Sequence, residues 1–488
     1  MHQPTVADWR AQVEKELAGV PFEKALVHTS AEGIAIEPLY TELTVPPAPA
    51  RPGQAPVQIC MPFDGDEAAR AEDLAGGAEA IWDRRAGVVH IAASGELLRV
   101  ANEASAATAP DATVLLSTLA AHAAGADGAD ELAATLSMAA ARLDAGAAAS
   151  RLGVQIAVGR DTFGELCKLR ALRVCWAKLV AAAGAEPVLP RLHAVASPRT
   201  ASVRDPWVNM LRGTTEAFAA ILGGADLFTP IAYDEAAGPP SALGRRVARN
   251  TALVLREESQ LGRVIDPAAG SYYLETLTDA LAREAWRRFR AIESEGGIAA
   301  LVADGRWAKR LEASRQKRSE AIAKRKEPIV GVSEFANLDE KPLPHAAAAE
   351  GVHRDAEAFE ALRDRADALA AAGSLPGVAL VTLGPAAEHR ARLGYAAAFF
   401  AVGGLRTHTT ASTADKAPIA CLCGSDERYA AEAAAAATAL KAAGCARVLL
   451  AGRPGALEPA LRSAGVDGFI FVGCDVASML GQLLEVRA

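Results

Sequence analysis

The stretch from Ser202 to Glu275 alternates between helix and strand signals, and this limits the possible folds more than any other feature of the chain. Asp205-Pro206 can start a helix. The N–H groups in the first turn of a helix have no partner within the helix, so proline, which lacks an N–H, is tolerated there. Gly223-Gly224 suits the C-terminal cap of that helix. The next predicted elements are a strand, a helix and a strand: Leu227–Tyr233, Ala242–Glu258 and Arg263–Ile265. A repeat of this kind predicts a parallel α/β sheet.

Charge and hydropathy argue against membrane and nucleic-acid partners. The chain has 488 residues, enough for two or three domains, and 51% of them are apolar. No apolar run approaches the roughly 20 residues that a membrane span needs. The net charge is −8, and the basic stretch Arg315–Lys326 lacks aromatic residues, so we interpret it as a solvated helix end. The polar N-terminal sequence has no apolar signal region, which predicts a cytoplasmic protein.

The cysteines are scattered and include no CxxC pair. Most lie in apolar segments, so we expect buried, reduced thiols and no metal site. The cysteines are Cys60, Cys167, Cys175, Cys421, Cys423, Cys445 and Cys474.

The chain divides into four predicted parts. Residues 1–54 form an N-terminal arm with a helix at Trp9–Leu17 and a Pro-rich end, which is extended and cannot form a core alone. Residues 55–300 contain about eight strand candidates, the number that a closed (β/α)8 barrel requires. These candidates are Val57–Pro62, Glu79–Trp82, Val88–Ala93, Thr113–Leu119, Val154–Val158, Leu192–Ala196, Leu227–Tyr233 and Val264–Asp266. The connection between the third and fourth strands is short, so the barrel is expected to be abbreviated.

The other two parts follow the barrel. Residues 301–374 are charged and helical and are predicted to form a linker. Residues 375–488 again alternate between strands and helices, which predicts a flavodoxin-like doubly wound sheet.

Several phrases resemble one family closely. They are DPW-N, EAF-A-GGAD, the step Asp234-Glu235-Ala236, RxARNT, IDPAAGSYY and, near the barrel exit, GVSEF-NL. In this order and spacing they are similar to those of the cobalamin-dependent acyl-CoA mutases, and in particular of the methylmalonyl-CoA mutase family. The resemblance implies an abbreviated TIM-type barrel followed by a cobalamin-binding-type domain. It also implies an arm that wraps a partner subunit.

The second domain keeps one histidine at the family's cobalt-ligand position. The family's loop reads Asp-x-His-x-x-Gly, where the aspartate orients the imidazole and the glycine lets the loop fold around the nucleotide tail. Here the histidine is His389, but Ala387 replaces the aspartate and Arg392 replaces the glycine. Arg392 is expected to project a charged side chain into the space that the loop needs. We interpret His389 as a surface or loop-packing residue, with a degenerate cofactor site as the other interpretation.

The barrel keeps one histidine of the family's catalytic Tyr-His pair. In the family the histidine hydrogen-bonds the thioester carbonyl and the tyrosine shields the radical. His122 is present, but Ala121 stands at the tyrosine position, and the stretch Val57–Asp64 lacks the family's Arg-Pro-Trp phrase. We interpret His122 as a vestigial, structural residue at the barrel mouth.

These features lead to one main hypothesis and two alternatives. The resemblance implies a catalytically silent small subunit in a heterodimer with a large methylmalonyl-CoA mutase subunit. That partner would hold adenosylcobalamin and interconvert methylmalonyl-CoA and succinyl-CoA. One alternative is an active acyl-CoA mutase with divergent cobalamin contacts, which a corrin spectrum of the purified chain would favour. The other is a scaffold or regulator of another enzyme, which co-purification without a mutase large chain would favour.

Overall fold

The computed structural model describes residues 5–49, 56–102, 113–341, 343 and 353–486. These residues form two compact units. Unit 1 contains the described residues of Met1–Thr200, Met210–Arg315 and Ala348–His353. Unit 2 contains those of Ala201–Asn209, Gln316–Ala347 and Arg354–Ala488.

The N-terminal arm begins with two short helices and a small hairpin. Its elements are α1 Val6–Glu16, α2 Phe22–Leu26, β1 His28–Thr29 and β2 Ala35–Ile36. Helix α1 starts at a capping box, in which Thr5 accepts from the Asp8 N–H and the Asp8 carboxylate accepts in return. The predicted helix at Trp9–Leu17 is therefore confirmed and starts slightly earlier. Residues 50–55 of the predicted Pro-rich end lie outside the described residues.

Unit 1 is built around a closed barrel of eight strands. The barrel strands are β3 Gln58–Phe63, β4 Ala80–Asp83, β5 Val88–Ile91, β6 Leu97–Ala101, β7 Thr113–Ser117, β8 Leu152–Val158, β9 Arg191–Ala196 and β10 Leu227–Thr229. Strand β5 pairs antiparallel with both of its neighbours, whereas all other neighbouring strands are parallel. The mixed α/β chain thus closes a barrel consistent with an abbreviated TIM-type barrel, in which a hairpin replaces the helical connections around β5.

The prediction of a barrel strand at Val264–Asp266 is wrong, as is the equivalent prediction at Arg263–Ile265. These residues lie in an irregular connection. The Asp266 carboxylate accepts from the Ala268 N–H and from Arg170, and Pro267 between them has no N–H for a ladder. The barrel has β6 in place of this predicted strand. Strand β6 lies in the short connection between the predicted third and fourth strands, where no strand was predicted. A tight turn at Gly95, whose φ is +68°, pairs this strand with β5.

Helices alternate with most of the barrel strands and continue after them. They are α3 Glu67–Ala75, α4 Leu119–Ala124, α5 Gly128–Asp144, α6 Thr162–Ala182, α7 Val208–Leu222, α8 Ala242–Glu257, α9 Tyr272–Ser294, α10 Ile298–Ala303 and α11 Arg306–Ala323. Many start at a side-chain cap: the N-cap residues Asp66, Asp127, Asp161, Ser241 and Ser271 each accept from a backbone N–H of the first turn. Short polar N-caps therefore fix where the chain leaves each loop and enters a helix.

Two apolar clusters hold the barrel together. The larger cluster lies between strands and helices and includes Trp176, Phe228 and Leu132. The smaller one takes alternate residues of the strands: Cys60, Ala80, Val89, Ile91, Leu98, Leu115 and Leu227. Because side chains on a strand alternate between its two faces, this second set fills the inside of the barrel. The barrel interior is a packed core.

Unit 2 contains a parallel five-stranded sheet in the order β12-β11-β13-β14-β15. Its elements are α12 Glu357–Ala371, β11 Val378–Thr382, α13 Ala386–Ala401, β12 Thr407–Thr410, β13 Ile419–Cys423, α14 Asp426–Arg428, α15 Ala434–Ala442, β14 Arg447–Ala451, α16 Glu458–Ser463, β15 Gly468–Ile470 and α17 Val476–Leu483. A π-helical turn, Tyr429–Ala433, joins α14 to α15. The predicted alternation of strands and helices in this region is confirmed.

Both faces of this sheet are buried. Val378 and Leu380 belong to one apolar cluster with Phe399 of α13, and the intervening Ala379 and Val381 belong to another. Because both faces are buried, the sequences of these strands are nearly continuous apolar runs.

The seven cysteines are all buried and free, as predicted. Within the described part of the chain, no group of three or more His, Cys, Asp or Glu residues could hold a metal ion. No helix among the described residues has the length and apolar character to cross a membrane.

Candidate functional site

His122 lies on the short helix α4, directly after barrel strand β7, at the mouth where barrel enzymes carry their chemistry. Its side chain is buried between two partners. Nδ1 is 2.6 Å from Glu131 Oε1, and Nε2 is 2.6 Å from Ser197 Oγ. Glu131 comes from α5, and Ser197 follows β9. The sequence singled out the histidine, whereas its bond to Ser197, from a distant part of the chain, was missed.

A buried lysine continues this network. Lys168 Nζ lies 3.3 Å from Glu131 Oε2 and 2.6 Å from Glu165 Oε2, and it donates to the Ala157 carbonyl at 2.8 Å. Burial acts to lower the pKa of Lys168, but Glu131 and Glu165 outweigh burial, and the pKa is raised. The amine therefore stays protonated and serves as a fixed cation.

Serine, histidine and glutamate at these distances match the arrangement of a nucleophile, its base and the group that orients the base. Burial argues against that use. Ser197 is 0% exposed and His122 is 1% exposed, so a substrate carbonyl has no access to the serine oxygen. The arrangement ties the ends of β7 and β9 to α5.

A cavity of about 270 Å³ lies at the barrel mouth. Its wall is mainly apolar and includes His122, Trp82, Arg84 and Glu235. Arg84 is already paired, since its guanidinium contacts both the Asp64 carboxylate and, at 2.9 Å, Glu235 Oε1. The cation at this mouth is thus neutralised by the chain itself.

Below the cavity, polar side chains cross the barrel interior. The Ser117 hydroxyl donates to Gln155 Oε1 at 2.8 Å, and the Gln155 amide lies 3.1 Å from His193 Nδ1. His193 Nε2 lies 2.8 Å from Thr229 Oγ1, so the ring accepts at Nδ1 and donates at Nε2. Burial lowers the pKa of His193 to about 3, which keeps this histidine neutral. The signal for these residues was a polar side chain within the apolar strands LGVQIAV and RLHAVA.

His389 lies in the first turn of α13, and its Nδ1 is 3.1 Å from the Gly384 carbonyl oxygen. The imidazole is thus bonded locally, on a helix and not in a loop.

Arg392, one turn later on α13, lies across the carboxyl ends of the sheet strands. It donates to the Gly424 carbonyl at 2.7 Å and to Asp426 Oδ1 at 2.5 Å. Its Cζ is 4.8 Å from the centre of the Tyr429 ring. A Cβ atom at Gly452 would lie 3.2 Å from the same Cζ, so the guanidinium also packs against the loop after β14.

Tyr429 fills the space beneath Arg392. Its hydroxyl donates to the Ala451 carbonyl at 2.6 Å and accepts from the Gly424 N–H at 3.1 Å. The phenol therefore joins the ends of β13 and β14. The sequence reasoning missed this residue, although it is an isolated aromatic residue at the start of an Ala-rich helix.

Comparison with known proteins shows which family this chain is similar to. A model described as methylmalonyl-CoA mutase matches residues 94–390. A methylmalonyl-CoA mutase small subunit from Streptomyces virginiae is 43% identical over 396 residues, which cover 75% of this chain and 62% of that protein. The small subunit from Propionibacterium freudenreichii subsp. shermanii is 35% identical over 357 residues, covering 69% of this chain and 56% of that one. A methylmalonyl-CoA mutase from Cereibacter sphaeroides is 37% identical over 235 residues, covering 46% and 33% of the two chains. The matched region thus spans less than two thirds of the length of each of these relatives.

Proposed function

The chain belongs to the methylmalonyl-CoA mutase family, and from this premise we propose that it is the catalytically silent small subunit of a heterodimeric methylmalonyl-CoA mutase. Its partner is a large subunit that holds adenosylcobalamin and interconverts methylmalonyl-CoA and succinyl-CoA by a radical mechanism. The names of the relatives support this assignment. The observation that carries the silent role is the burial of His122 between Glu131 and Ser197.

The limited access to His122 supports the catalytically silent role. A thioester carbonyl that received a hydrogen bond from His122 would have to displace a bond of 2.6 Å to a buried partner. Displacement of that hydrogen bond costs free energy.

In this proposal, the C-terminal part of the chain is a degenerate cobalamin-binding-like domain with a flavodoxin-like fold. Numbered in chain order, its strands lie in the order 2-1-3-4-5, which is the flavodoxin-like order. In such sheets ligands bind outside the carboxyl ends of the strands, where the strand order reverses. Arg392 and Tyr429 occupy that edge, and His389 bonds Gly384.

These residues do not fit adenosylcobalamin. A nucleotide tail at this edge would have to displace the buried Tyr429, whose hydroxyl bonds the ends of two strands. Ala387 offers no carboxylate to orient His389. We therefore assign cofactor binding to the partner subunit. The proposed division is an arm at 1–54, the barrel at 55–300, a helical linker at 301–374 and this domain at 375–488.

The second candidate is a divergent but active mutase, and the cavity of about 270 Å³ beside His122 is the observation in its favour. Expression of the chain with and without a mutase large subunit separates the two candidates. The silent role predicts complex formation and turnover only with the large subunit. Corrin absorbance and turnover by the chain alone would favour the second candidate.

A further inference from the structure

Three aromatic rings meet on the surface of unit 1, where the arm crosses the barrel helices. Tyr273 of α9 lies at the centre. Its ring centroid is 5.3 Å from that of Tyr40 in the arm and 6.0 Å from that of Phe163 in α6. Tyr273 and Tyr40 are half-buried, whereas Phe163 is 50% exposed and Tyr272, next to Tyr273, is 43% exposed. The rings thus join the arm to the first turns of two helices.

Four exposed apolar side chains surround this contact, and we call them the arm–barrel patch: Leu39, Leu43, Phe163 and Tyr272. An aromatic side chain can bury about 150–250 Å². With about half of that area exposed on each aromatic residue, and the two leucines added, the patch presents a few hundred Å² of apolar surface. Exposed patches of this size often mark an interaction site.

The arm is held in place on both sides of the patch. On one side the Tyr40 hydroxyl accepts from the Glu37 N–H at 3.0 Å. On the other side Glu275 of α9 accepts from the Ala48 N–H at 3.1 Å. A partner that binds a surface fixed in this way pays little to order it.

The charges beside the patch indicate what kind of partner fits. Glu37 and Glu42 of the arm are exposed, and neither carboxylate forms an ion pair with any of the described residues. The nearby barrel acids differ, because Asp266 and Glu275 both pair with Arg170. A second copy of this chain, docked patch to patch by a two-fold axis, would bring the free carboxylates of the two arms towards each other. A partner with basic side chains would neutralise them.

We propose that the arm–barrel patch is a surface on which the large mutase subunit docks, through an apolar face flanked by lysine or arginine side chains. This inference rests on the proposed function, which supplies that partner. A stable interface covers about 800 Å² on each side, more than the patch offers. Helix α1 of the same arm has no buried residue and would supply further area. The aromatic side chains form the centre of the contact, where binding energy concentrates.

Truncation of the two exposed aromatic residues tests the apolar part of the proposal. The full chain carrying Phe163→Ala and Tyr272→Ala should bind the purified large subunit about 30-fold more weakly than the wild type does. The control Phe335→Ala removes an exposed ring in unit 2 and should bind like the wild type. Calorimetric titration measures the affinities, and circular dichroism checks that each variant is folded. A folded double variant with wild-type affinity would overturn the proposal.

The charged part is tested on the arm, where substitution leaves the barrel core untouched. Glu37→Gln with Glu42→Gln should weaken binding at low salt and make the affinity less dependent on salt concentration. The control Glu258→Gln, at another exposed position, should keep the wild-type salt dependence. If the arm variant keeps it too, the basic partner face is wrong.

Two outcomes separate this proposal from the proposed function. If the wild type forms no complex with the large subunit, the proposed function is wrong. If the wild type binds and the double aromatic variant binds equally well, the docking surface is wrong and the proposed function stands. Light scattering of the chain alone tests the other occupant, since a dimer that the double variant abolishes would show that a second copy covers the patch.

Discussion

The guanidinium of Arg392 lies over the ring of Tyr429, with Cζ 4.8 Å from the ring centre, and its Nη1 donates to the Gly424 carbonyl at 2.7 Å. Stacking of this kind adds to the hydrogen bonds because a cation is attracted to the face of an aromatic ring. The two side chains lie across the carboxyl ends of the strands, where the proposed flavodoxin-like domain would bind a ligand. Arg392, which stands where the family's loop has a glycine, thus acts together with Tyr429, which was not predicted from the sequence.

The first prediction concerns cofactor binding. The purified chain should show no stoichiometric base-off spectrum on titration with adenosylcobalamin, because the edge is filled and Ala387 cannot orient His389. Loss of such an orienting partner alone weakens metal affinity by about 10–100-fold. His389→Ala should behave like the wild type. A stoichiometric base-off spectrum that disappears in His389→Ala would contradict the prediction.

The second prediction separates stability from catalysis at His122. His122→Ala leaves Glu131 and Ser197 buried without their partner, at a cost of about 1–3 kcal/mol for each unsatisfied group. Denaturant unfolding should show this loss, and His408→Ala at an exposed position should show little. Turnover per assembled complex should stay unchanged. A fall in turnover of about 10²-fold with the complex intact would mean that His122 acts on substrate.

The third prediction concerns a buried ion pair between two barrel helices. Asp73 of α3 is 1% exposed and pairs with Arg245 and Arg249 of α8. Asp73→Ala removes the anion between two cations and should destabilise unit 1 by about 3–5 kcal/mol. The control Asp279→Ala breaks a surface pair with Arg283 on α9 and should change the unfolding midpoint little. Equal midpoints for the two variants would show that the buried pair contributes no more than the surface pair.

The fourth prediction concerns the arm, which we expect to contact the partner subunit. Helix α1 has no buried residue, so it is available for an interface. The end of the arm packs on its own barrel instead, since the Ala48 N–H donates to Glu275 at 3.1 Å and Arg173 donates to the Pro49 carbonyl at 3.4 Å.

Two truncations test this difference. Removal of residues 1–26 should weaken the heterodimer and leave the barrel folded, whereas removal of residues 1–50 should also loosen the barrel. Size-exclusion chromatography with light scattering measures the association, and far-UV circular dichroism measures the fold. If the chain without residues 1–26 associates as tightly as the full chain, the docking surface lies elsewhere.

Local signals predicted most of the elements. The α/β alternation placed the sheet of unit 2 and most barrel strands, because apolar runs and helix periodicity report directly on burial. Strand β6 was missed because it is short and half exposed, with Leu97 facing solvent. Val264 and Ile265 have the apolar pattern of a strand in the sequence, but they are exposed in the structure. Their conformation depends on Asp266 and its bond to Arg170, nearly a hundred positions earlier.

The site was less predictable for the same reason. His122 and Arg392 could be selected from the sequence, but their roles depend on groups that only the fold brings close. Ser197 lies 75 positions from His122, and Asp426 lies 34 positions from Arg392. No local pattern encodes such pairs.

The central claim is that this chain lacks catalysis of its own and works through a catalytic partner. The most direct test is to purify the chain and a mutase large subunit separately and to record corrin absorbance, light-scattering mass and methylmalonyl-CoA turnover for each one and for their mixture. We predict no corrin and no turnover for the chain alone, and a one-to-one complex with corrin and turnover for the mixture. Stoichiometric corrin together with turnover by the chain alone would contradict the account.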